Sequence, residues 1–462
     1  MRNAHLVNFN KVFWIEIIQN LKLRPIIFNM RQRLLSEGAK ELTYEIREIV
    51  KKADKIKNTG QKIYWENIGD PIAKNFQVPA WIREIVAETA NDNATYSYCP
   101  SKGILETRAF LSDLNNKRGG AQINPDDICF FNGLGDAIGK VYQFLSRNSR
   151  VIQPSPGYTT HSSSESAHAH SQPITYELDP NNHWYPNLDD LYLKIKYNPN
   201  IVCILIINPD NPTGMVYPLE VMQRIVSIAK EFNLFIISDE IYLNITYNGA
   251  RAYSLSEVIG DVPGIAMKGI SKEFPWPGSR CGWMEYYNRD KDEDFARLCA
   301  VIDNAKMIEV CSTKLPQLVI PKVMGDARYM PYRLALNEKI GRRSSIISEI
   351  LKDIPNLTFN PTYGAFYNTM IFTAGSLKPH QKLEIKNVEI RALVEKWVSE
   401  PDVNLDKRFV YYLLGAKGIC VVPISSFCSE LQGFRVTLLE ENEEDLKYIF
   451  TELKAAILEY LG

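Results

Sequence analysis

The sequence lacks several features that mark particular classes of protein. Eight cysteines are spread over 462 residues with no C-x-x-C pair and no histidine at zinc-ligand spacing, which argues against a disulfide framework or a structural zinc site. Lysine plus arginine number 53 against 54 acidic residues, so the formal net charge of −1 lacks the basic excess of a nucleic-acid binder. With 45% hydrophobic and 23% charged residues, the composition is that of a globular protein. A reduced, cytoplasmic enzyme of two or three domains is the interpretation that these features favour.

Long hydrophobic runs are also missing. The apolar stretch 12–21 is interrupted by Glu16 and falls short of the roughly 18 apolar residues that a membrane span requires. Lys22 and Arg24 follow it instead of a small-residue cleavage site. We therefore expect residues 1–29 to be a docking extension, or an overlong start before Met30, and we expect no membrane partner.

Apolar, β-rich segments alternate with helix-like segments through most of the chain. The run IVCILII at 201–207 is continuously apolar, which is typical of a strand buried on both faces. After about residue 325 the pattern changes, and it predicts a long helix from Arg333 to Leu351 and an extended piece at 358–371. The pattern predicts an α/β fold, with a doubly wound, mainly parallel sheet in a large domain and a smaller α+β domain. The predicted division is an extension at 1–29, the N-terminal part of the small domain at 30–70, the large domain at 71–325 and the C-terminal small domain at 326–462.

A lysine and an arginine follow one predicted strand. In S-K-E-F-P-W-P-G-S-R, Lys272 comes directly after Ser271, and Arg280 lies beyond a Pro-Gly turn. A partly desolvated, electropositive site lowers the pKa of a lysine and makes it nucleophilic, while arginine offers a planar fork for phosphate. A lone lysine would more simply be a solvated loop residue, so this assignment depends on the neighbouring motifs.

Two further strands end in polar residues. The motif N-P-D-N-P-T-G at 208–214 closes the most apolar strand with a rigid turn, and S-D-E-I-Y at 238–242 closes the next. Ligands of α/β sheets bind at the carboxyl ends of the strands. Asp239 could cap a helix there, or it could hold a pyridinium nitrogen protonated, the partner that makes pyridoxal phosphate an electron sink.

Two turns could complete a phosphate site. Residues 131–138 show a strand, a glycine turn and a helix start, where free N–H groups and the helix dipole bind anions. The sequence P-S-P-G-Y ends another strand and places Tyr158 where an aromatic ring could stack on a planar ligand. Either turn alone is a weak signal, because many α/β crossovers contain one.

Together these stretches resemble the class I/II aminotransferases, pyridoxal-phosphate enzymes of the aspartate aminotransferase superfamily (fold type I). The resemblance runs from about Asn67 to Leu438, in the family's order. The separations are also similar to those of the family, with 28 residues from Asn211 to Asp239 and 33 from Asp239 to Lys272.

The resemblance implies a role for each matching residue. Lys272 would hold pyridoxal 5′-phosphate as an internal aldimine and move a proton, and Asp239 would pair with the ring nitrogen. Asn211 and Tyr242 would hydrogen-bond the 3′-oxygen of the ring. The resemblance also implies cofactor binding by Leu134, Gly135, Asp136, Tyr158, Ser271 and Arg280. In a homodimer, Tyr98 would reach the cofactor of the partner subunit, with Tyr96 as the alternative. Substrate binding is implied for Gly69, Asn211 and Arg435.

Some residues depart from the family pattern. Leu134 stands where a small or hydroxylated residue is common, and the segment from Glu273 to Trp276 is bulkier and stiffer than the usual linker after the lysine. None of these departures removes a catalytic group. We expect no metal at His168 and His170, because no carboxylate or cysteine accompanies them at ligand spacing.

The implied activity is an aminotransferase that moves an amino group between an L-amino acid and a 2-oxo acid in two half reactions. The alternative on the same scaffold is a pyridoxal-phosphate lyase that eliminates at carbon–sulfur bonds, or a decarboxylase, because all of these share their early steps. A transcriptional regulator is disfavoured, since only 29 residues precede Met30 and the charge is neutral. One arginine for an α-carboxylate indicates an amino acid without indicating which one.

Overall fold

The computed structural model describes residues 34–42 and 46–462, with the side chain of Ile46 left out. The predictions for residues 1–29 therefore lie outside the described residues. The described strands are β1 (Tyr64–Trp65), β2 (Ile128–Phe131), β3 (Arg150–Ser155), β4 (Thr175–Asp179), β5 (Tyr185–Pro186), β6 (Ile201–Ile207), β7 (Phe235–Asp239), β8 (Gly264–Gly269), β9 (Gly282–Tyr287), β10 (Leu357–Phe359), β11 (Tyr367–Phe372), β12 (Ile419–Cys420), β13 (Val422–Pro423) and β14 (Gly433–Thr437).

Eight strands form a large mixed sheet in the order β2-β9-β8-β7-β6-β3-β4-β5. The pairings from β8 through β7, β6 and β3 to β4 are parallel, and the pairings at both edges are antiparallel. Within β6, Ile204 and Ile206 face one hydrophobic core, while Cys203 and Leu205 face another on the opposite side of the sheet. A strand that is buried on both faces explains the continuous apolar run in its sequence.

Helices cover both faces of this sheet and surround a smaller one. The smaller sheet is antiparallel in the order β10-β11-β14-β13, and β1 pairs with β12 in parallel. The helices are α1 (Ile46–Lys57), α2 (Ala80–Asn91), α3 (Leu105–Asn116), α4 (Leu134–Phe144), α5 (Thr159–Ala169), α6 (Leu188–Tyr197), α7 (Leu219–Glu231), α8 (Leu255–Val258), α9 (Glu293–Ile308), α10 (Lys314–Met324), α11 (Tyr329–Leu351), α12 (Val388–Val398), α13 (Leu405–Lys417) and α14 (Glu443–Leu461).

The start and end of the chain share a hydrophobic core beside the smaller sheet. Ile49 and Ile56 of α1 pack in the same cluster as Ile449 and Phe450 of α14. Helix α14 begins where the side chain of Asn442 accepts hydrogen bonds from the first-turn N–H groups. This shared core fits a small domain built from both ends of the chain, although the division at residues 70 and 325 stays a prediction.

The fold-class prediction is confirmed, and the strand predicted at 201–207 has the same bounds in the structure. The extended piece predicted at 358–371 is two strands, β10 and β11, separated by a turn. The helix predicted from Arg333 begins four residues earlier, at Tyr329. No helix in the described ranges is both long enough and apolar enough to cross a lipid bilayer.

Candidate active site

A cavity of about 570 Å³ lies at the carboxyl ends of the parallel strands. Because β8, β7, β6 and β3 are neighbours in the sheet, the residues that follow them meet along one edge. Eleven residues singled out from the sequence line this cavity: Gly69, Leu134, Gly135, Tyr158, Asn211, Asp239, Tyr242, Ser271, Lys272, Arg280 and Arg435.

Lys272 lies in the turn that follows β8 and is half-buried. Its Nζ donates a hydrogen bond of 2.6 Å to the carbonyl oxygen of Gly69. A Cβ atom at position 69 would overlap the hydroxyl of Tyr367, so the glycine leaves room for that side chain beside the lysine. The amine therefore lies between the large sheet and the segment that precedes α2.

Asp239 is the last residue of β7 and is buried. Its Oδ1 accepts a hydrogen bond from the Ile241 backbone N–H at 3.1 Å, and its Oδ2 lies 3.3 Å from Nε2 of His161. His161 is fully buried, and its Nδ1 has no hydrogen-bond partner within the described part of the chain. Nε2 is therefore the ring nitrogen that faces Asp239, and in the tautomer with the proton on Nε2 the ring donates a hydrogen bond to the carboxylate.

A glycine turn and an arginine form one end of the cavity. Gly133 has a φ of 86°, and a Cβ atom there would lie 2.5 Å from Nη2 of Arg280. Helix α4 begins directly after this glycine, so the N–H groups of Leu134 and Gly135 at its start lack partners within the helix. Arg280 and the helix start together make this end electropositive, as a phosphate requires.

Arg435 lies on β14, at the opposite side of the cavity, and only 3% of it is exposed. Its guanidinium donates to Asn211 Oδ1 at 3.1 Å and to the carbonyl oxygen of Asn67 at 2.7 Å. Its Cζ lies 4.4 Å from the ring centroid of Tyr367, at a distance typical of cation–π contacts. These contacts hold the guanidinium in place before any substrate arrives.

Two tyrosine hydroxyls meet beside Lys272. The hydroxyls of Tyr242 and Tyr367 lie 3.0 Å apart, and the two rings are edge to face. Burial, and next the neighbouring Tyr367, raise the pKa of Tyr242 above its usual value. Tyr242 therefore stays protonated and can donate a hydrogen bond at neutral pH.

Two of the predicted residues are not brought to the cavity. The carboxylate of Asp136 accepts from the Asn132 backbone N–H at 3.0 Å and from Lys306 Nζ at 3.2 Å, and the Asp136 N–H donates to the carbonyl oxygen of Gly133. Tyr98 is 80% exposed and lies in a separate surface depression with Tyr96. Its cofactor contact across a dimer stays a prediction.

Four residues of the site were not assigned from the sequence. Arg47, in the first turn of α1, lines the cavity, as do Asn67 and Tyr367, and His161 lies behind Asp239. The motif G-A-F-Y, which ends at Tyr367, was a usable signal for that residue. His161 lies in the same serine- and histidine-rich stretch as His168 and His170. His168 Nε2 instead lies 3.0 Å from the carbonyl oxygen of Ser149, and His170 Nδ1 lies 3.4 Å from the carboxylate of Glu37.

Comparison with known proteins identifies the family. The family model described as aminotransferase class I and II matches residues 67–453. The chain belongs to this family. It is an aminotransferase, and the family is one that uses pyridoxal phosphate.

Relatives and solved structures agree with this assignment. An uncharacterised aminotransferase of Methanocaldococcus jannaschii is 53% identical over 432 residues, which cover 94% of this chain and 100% of the relative. The glutamate-pyruvate aminotransferase AlaA of Escherichia coli strain K12 is 29% identical over 72% of this chain and 81% of its own. An alanine aminotransferase from Pyrococcus furiosus superposes with a TM-score of 0.79 at 26% identity, over 92% of this chain and 99% of that one.

Proposed function

We propose that this aminotransferase holds pyridoxal 5′-phosphate at Lys272 and moves the amino group between glutamate and a small 2-oxo acid such as pyruvate. The observation that supports this most is the meeting of Lys272, Asp239 and Arg435 in one cavity with a second arginine, Arg47. The two half reactions would use the same cavity in turn, with one substrate leaving before the other binds.

The residues of the cavity fit the cofactor. Its phosphate needs positive charge and free N–H donors, which Arg280 and the start of α4 supply, and the glycine at 133 leaves room for the guanidinium. Asp239 offers a buried carboxylate for a protonated ring nitrogen, and Asn211 and Tyr242 offer donors for a ring oxygen. Tyr158, which lines the same cavity, offers an aromatic face.

When bound, pyridoxal phosphate draws electrons from the Cα atom of an amino acid. Asp239, supported by His161, would keep the ring nitrogen protonated by placing a negative charge beside it. Lys272 Nζ would take the proton from Cα and return it, because an amine that is free once the substrate has replaced it on the cofactor can act as a general base. Arg435 would orient Cα by a two-point hold on the α-carboxylate.

Arg47 supports an acidic amino acid as one substrate. A dicarboxylate such as glutamate needs a cation for each carboxylate, and Arg435 and Arg47 both line the cavity. Relatives of this chain include enzymes named glutamate-pyruvate and alanine aminotransferases, so the same donor and acceptor are a reasonable first test.

A panel of amino donors, with 2-oxoglutarate or pyruvate as acceptor, tests this proposal. We expect Arg47→Gln to lower kcat/KM for glutamate by about 10- to 100-fold, because one charge-assisted pair is lost, and to leave kcat/KM for alanine unchanged. Arg83→Gln on the exposed face of α2 is the matched control, because it removes a surface arginine outside the cavity.

Two results would overturn the proposal. Equal losses for glutamate and alanine in Arg47→Gln would remove the assignment of Arg47 to the side-chain carboxylate. Release of pyruvate and ammonia from an amino acid without any 2-oxo acid acceptor would instead establish the lyase reaction.

We also infer a homodimer, in which Tyr98 of one subunit completes the phosphate end of the other.

A further inference from the structure

The segment that follows Lys272 connects the lysine to helix α11. Phe274 is fully buried, and its ring packs edge to face on Tyr329 in the first turn of α11, with 5.8 Å between centroids. The carbonyl oxygen of Glu273 accepts a hydrogen bond from Tyr332 at 3.2 Å. Lys272 lies in a turn outside β8, so these side-chain contacts take the place of ladder hydrogen bonds.

Glu273 is the centre of this connection. Its side chain is buried, and its carboxylate accepts a hydrogen bond from Asn244 Nδ2 at 2.8 Å and a short one from the hydroxyl of Tyr329. Nε of Arg333 lies 3.3 Å from its Oε1. Burial raises the pKa of Glu273, and the charge of Arg333 opposes this rise. Two hydrogen-bond donors and the positive charge of Arg333 thus converge on one carboxylate beside Lys272.

The same helix leads to the strand that bears Arg435. Residues of α11 further along, including Ile340 and Ile347, are buried in the core beside the smaller sheet. Arg343 donates to the carbonyl oxygen of Leu438, directly after β14. From Arg333 to Arg343 the helix rises by about 15 Å, so a single rigid element separates the two attachment points.

We propose that Glu273 is a positioning residue that sets Lys272 relative to Arg435 through helix α11. The inference rests on the proposed function, in which Lys272 moves the proton at Cα and Arg435 holds the α-carboxylate. A rigid element between them keeps the amine at a constant distance from the carbon that it must deprotonate. This role would explain why the segment from Glu273 to Trp276 is bulkier and stiffer than the usual linker after the lysine.

Glutamine does not reproduce this contact. Its amide has one acceptor oxygen, and its NH₂ group can only donate. In Glu273→Gln the NH₂ group would face either the Asn244 donor, if it takes the place of Oε2, or the Arg333 cation, if it takes the place of Oε1. The substitution preserves volume, so it changes the hydrogen bonding of the turn and little else.

Hydrogen–deuterium exchange of the cofactor-free protein tests the structural half of the proposal. We expect the amides of residues 271–278 to exchange about tenfold or more faster in Glu273→Gln than in the wild type, because the turn opens locally. Glu285→Gln is the matched control, because Glu285 is also buried in the large sheet but bonds to Lys268 and Trp283 instead of α11. Faster exchange of these amides in the control alone, or in neither variant, would contradict the proposal.

Steady-state kinetics test the functional half. We expect Glu273→Gln to lower kcat by about 10- to 100-fold with KM nearly unchanged, since a shift of the amine by about 1 Å impairs proton transfer without touching the carboxylate contact. Tyr329→Phe keeps the ring on Phe274 but removes one donor, so it should lower kcat in the same direction by a smaller factor. If Glu273→Gln fails to fold, Tyr329→Phe still decides the question.

The outcomes separate this inference from the proposed function. Wild-type protein that shows no cofactor absorbance and no transfer of an amino group would overturn the proposed function itself. Wild-type protein that is active while Glu273→Gln and Tyr329→Phe both retain its kcat would overturn only the role of Glu273. A rise of KM with unchanged kcat would also overturn it, because that result belongs to substrate binding.

Discussion

Replacement of Arg435 offers the sharpest test of the carboxylate site. The guanidinium is 3% exposed and already held by Asn211 and by the carbonyl oxygen of Asn67. A desolvated, bidentate pair with a carboxylate contributes about 2–5 kcal/mol. At 1.4 kcal/mol per factor of ten, its loss should weaken amino-acid binding by about 30-fold to several thousand-fold.

The design uses two variants of Arg435 and a matched control. Arg435→Met fills the space over the ring of Tyr367 without a charge, so it should show the full loss. Arg435→Lys keeps the charge but loses the fork, so its loss should be intermediate. Arg108→Met removes another buried arginine, which lies on α3 outside the cavity, and should bind amino acids normally.

Titration of the cofactor absorbance with glutamate and with alanine gives the binding constants. Both amino acids carry an α-carboxylate, so Arg435→Met should weaken both by a similar factor, whereas Arg47→Gln should weaken glutamate alone. Normal affinity for both amino acids in Arg435→Met would show that the α-carboxylate is held elsewhere. Selective loss of glutamate would instead assign Arg435 to the side-chain carboxylate.

Two further predictions concern Lys272 and the subunit interface. Lys272→Ala should still bind the cofactor through Asp239 and the phosphate end of the cavity, but its turnover should fall by about 10²–10⁴ or more because the general base is lost. In the wild type, borohydride reduction followed by mass analysis should place the cofactor's mass on Lys272. Retained turnover, or a label on Lys268 or Lys314, would refute that assignment. Light scattering should show a dimer, which we expect to be two-fold symmetric. Tyr98→Phe should weaken cofactor binding by several-fold, because it removes one hydrogen bond of about 1 kcal/mol. An active monomer would contradict the predicted dimer.

Much of the candidate site was predictable because it follows the strands of a parallel sheet. Lys272, Asp239 and Asn211 each come after an apolar run, and parallel strands bring their carboxyl ends to one edge. Local sequence therefore specified both the residue type and its place in the fold. The same reasoning identified β6, whose observed bounds equal the predicted ones.

Residues that reach the site from elsewhere had no comparable local signal. Arg47 lies on an ordinary amphipathic helix, and only the packing of α1 against the C-terminal core brings it to the cavity. His161 acts through its contact with Asp239, 78 residues away in sequence. Such contacts depend on tertiary packing, which periodicity and spacing do not encode.

Tyr98 is the reverse case, because its sequence motif could be recognised although the contacts proposed for it lie in a second chain. The residue is exposed and far from the cavity of its own chain, so a role at the phosphate requires a second chain. The prediction of that role rests on the resemblance to the family, because the contacts within one chain do not test it.

The segment from Asn67 to Gly69 links the two cations of the proposed mechanism. The carbonyl oxygen of Asn67 accepts from Arg435, and the carbonyl oxygen of Gly69 accepts from Lys272. Both cations would turn to other partners during the reaction, Arg435 toward the α-carboxylate and Lys272 toward the cofactor. The segment would then lose one hydrogen bond when the cofactor binds and the other when the substrate binds, so its position depends on the state of the site. Because backbone carbonyls make these contacts, side-chain substitution within the segment leaves the acceptors in place, except at Gly69, where a Cβ atom would overlap the hydroxyl of Tyr367 and displace the backbone.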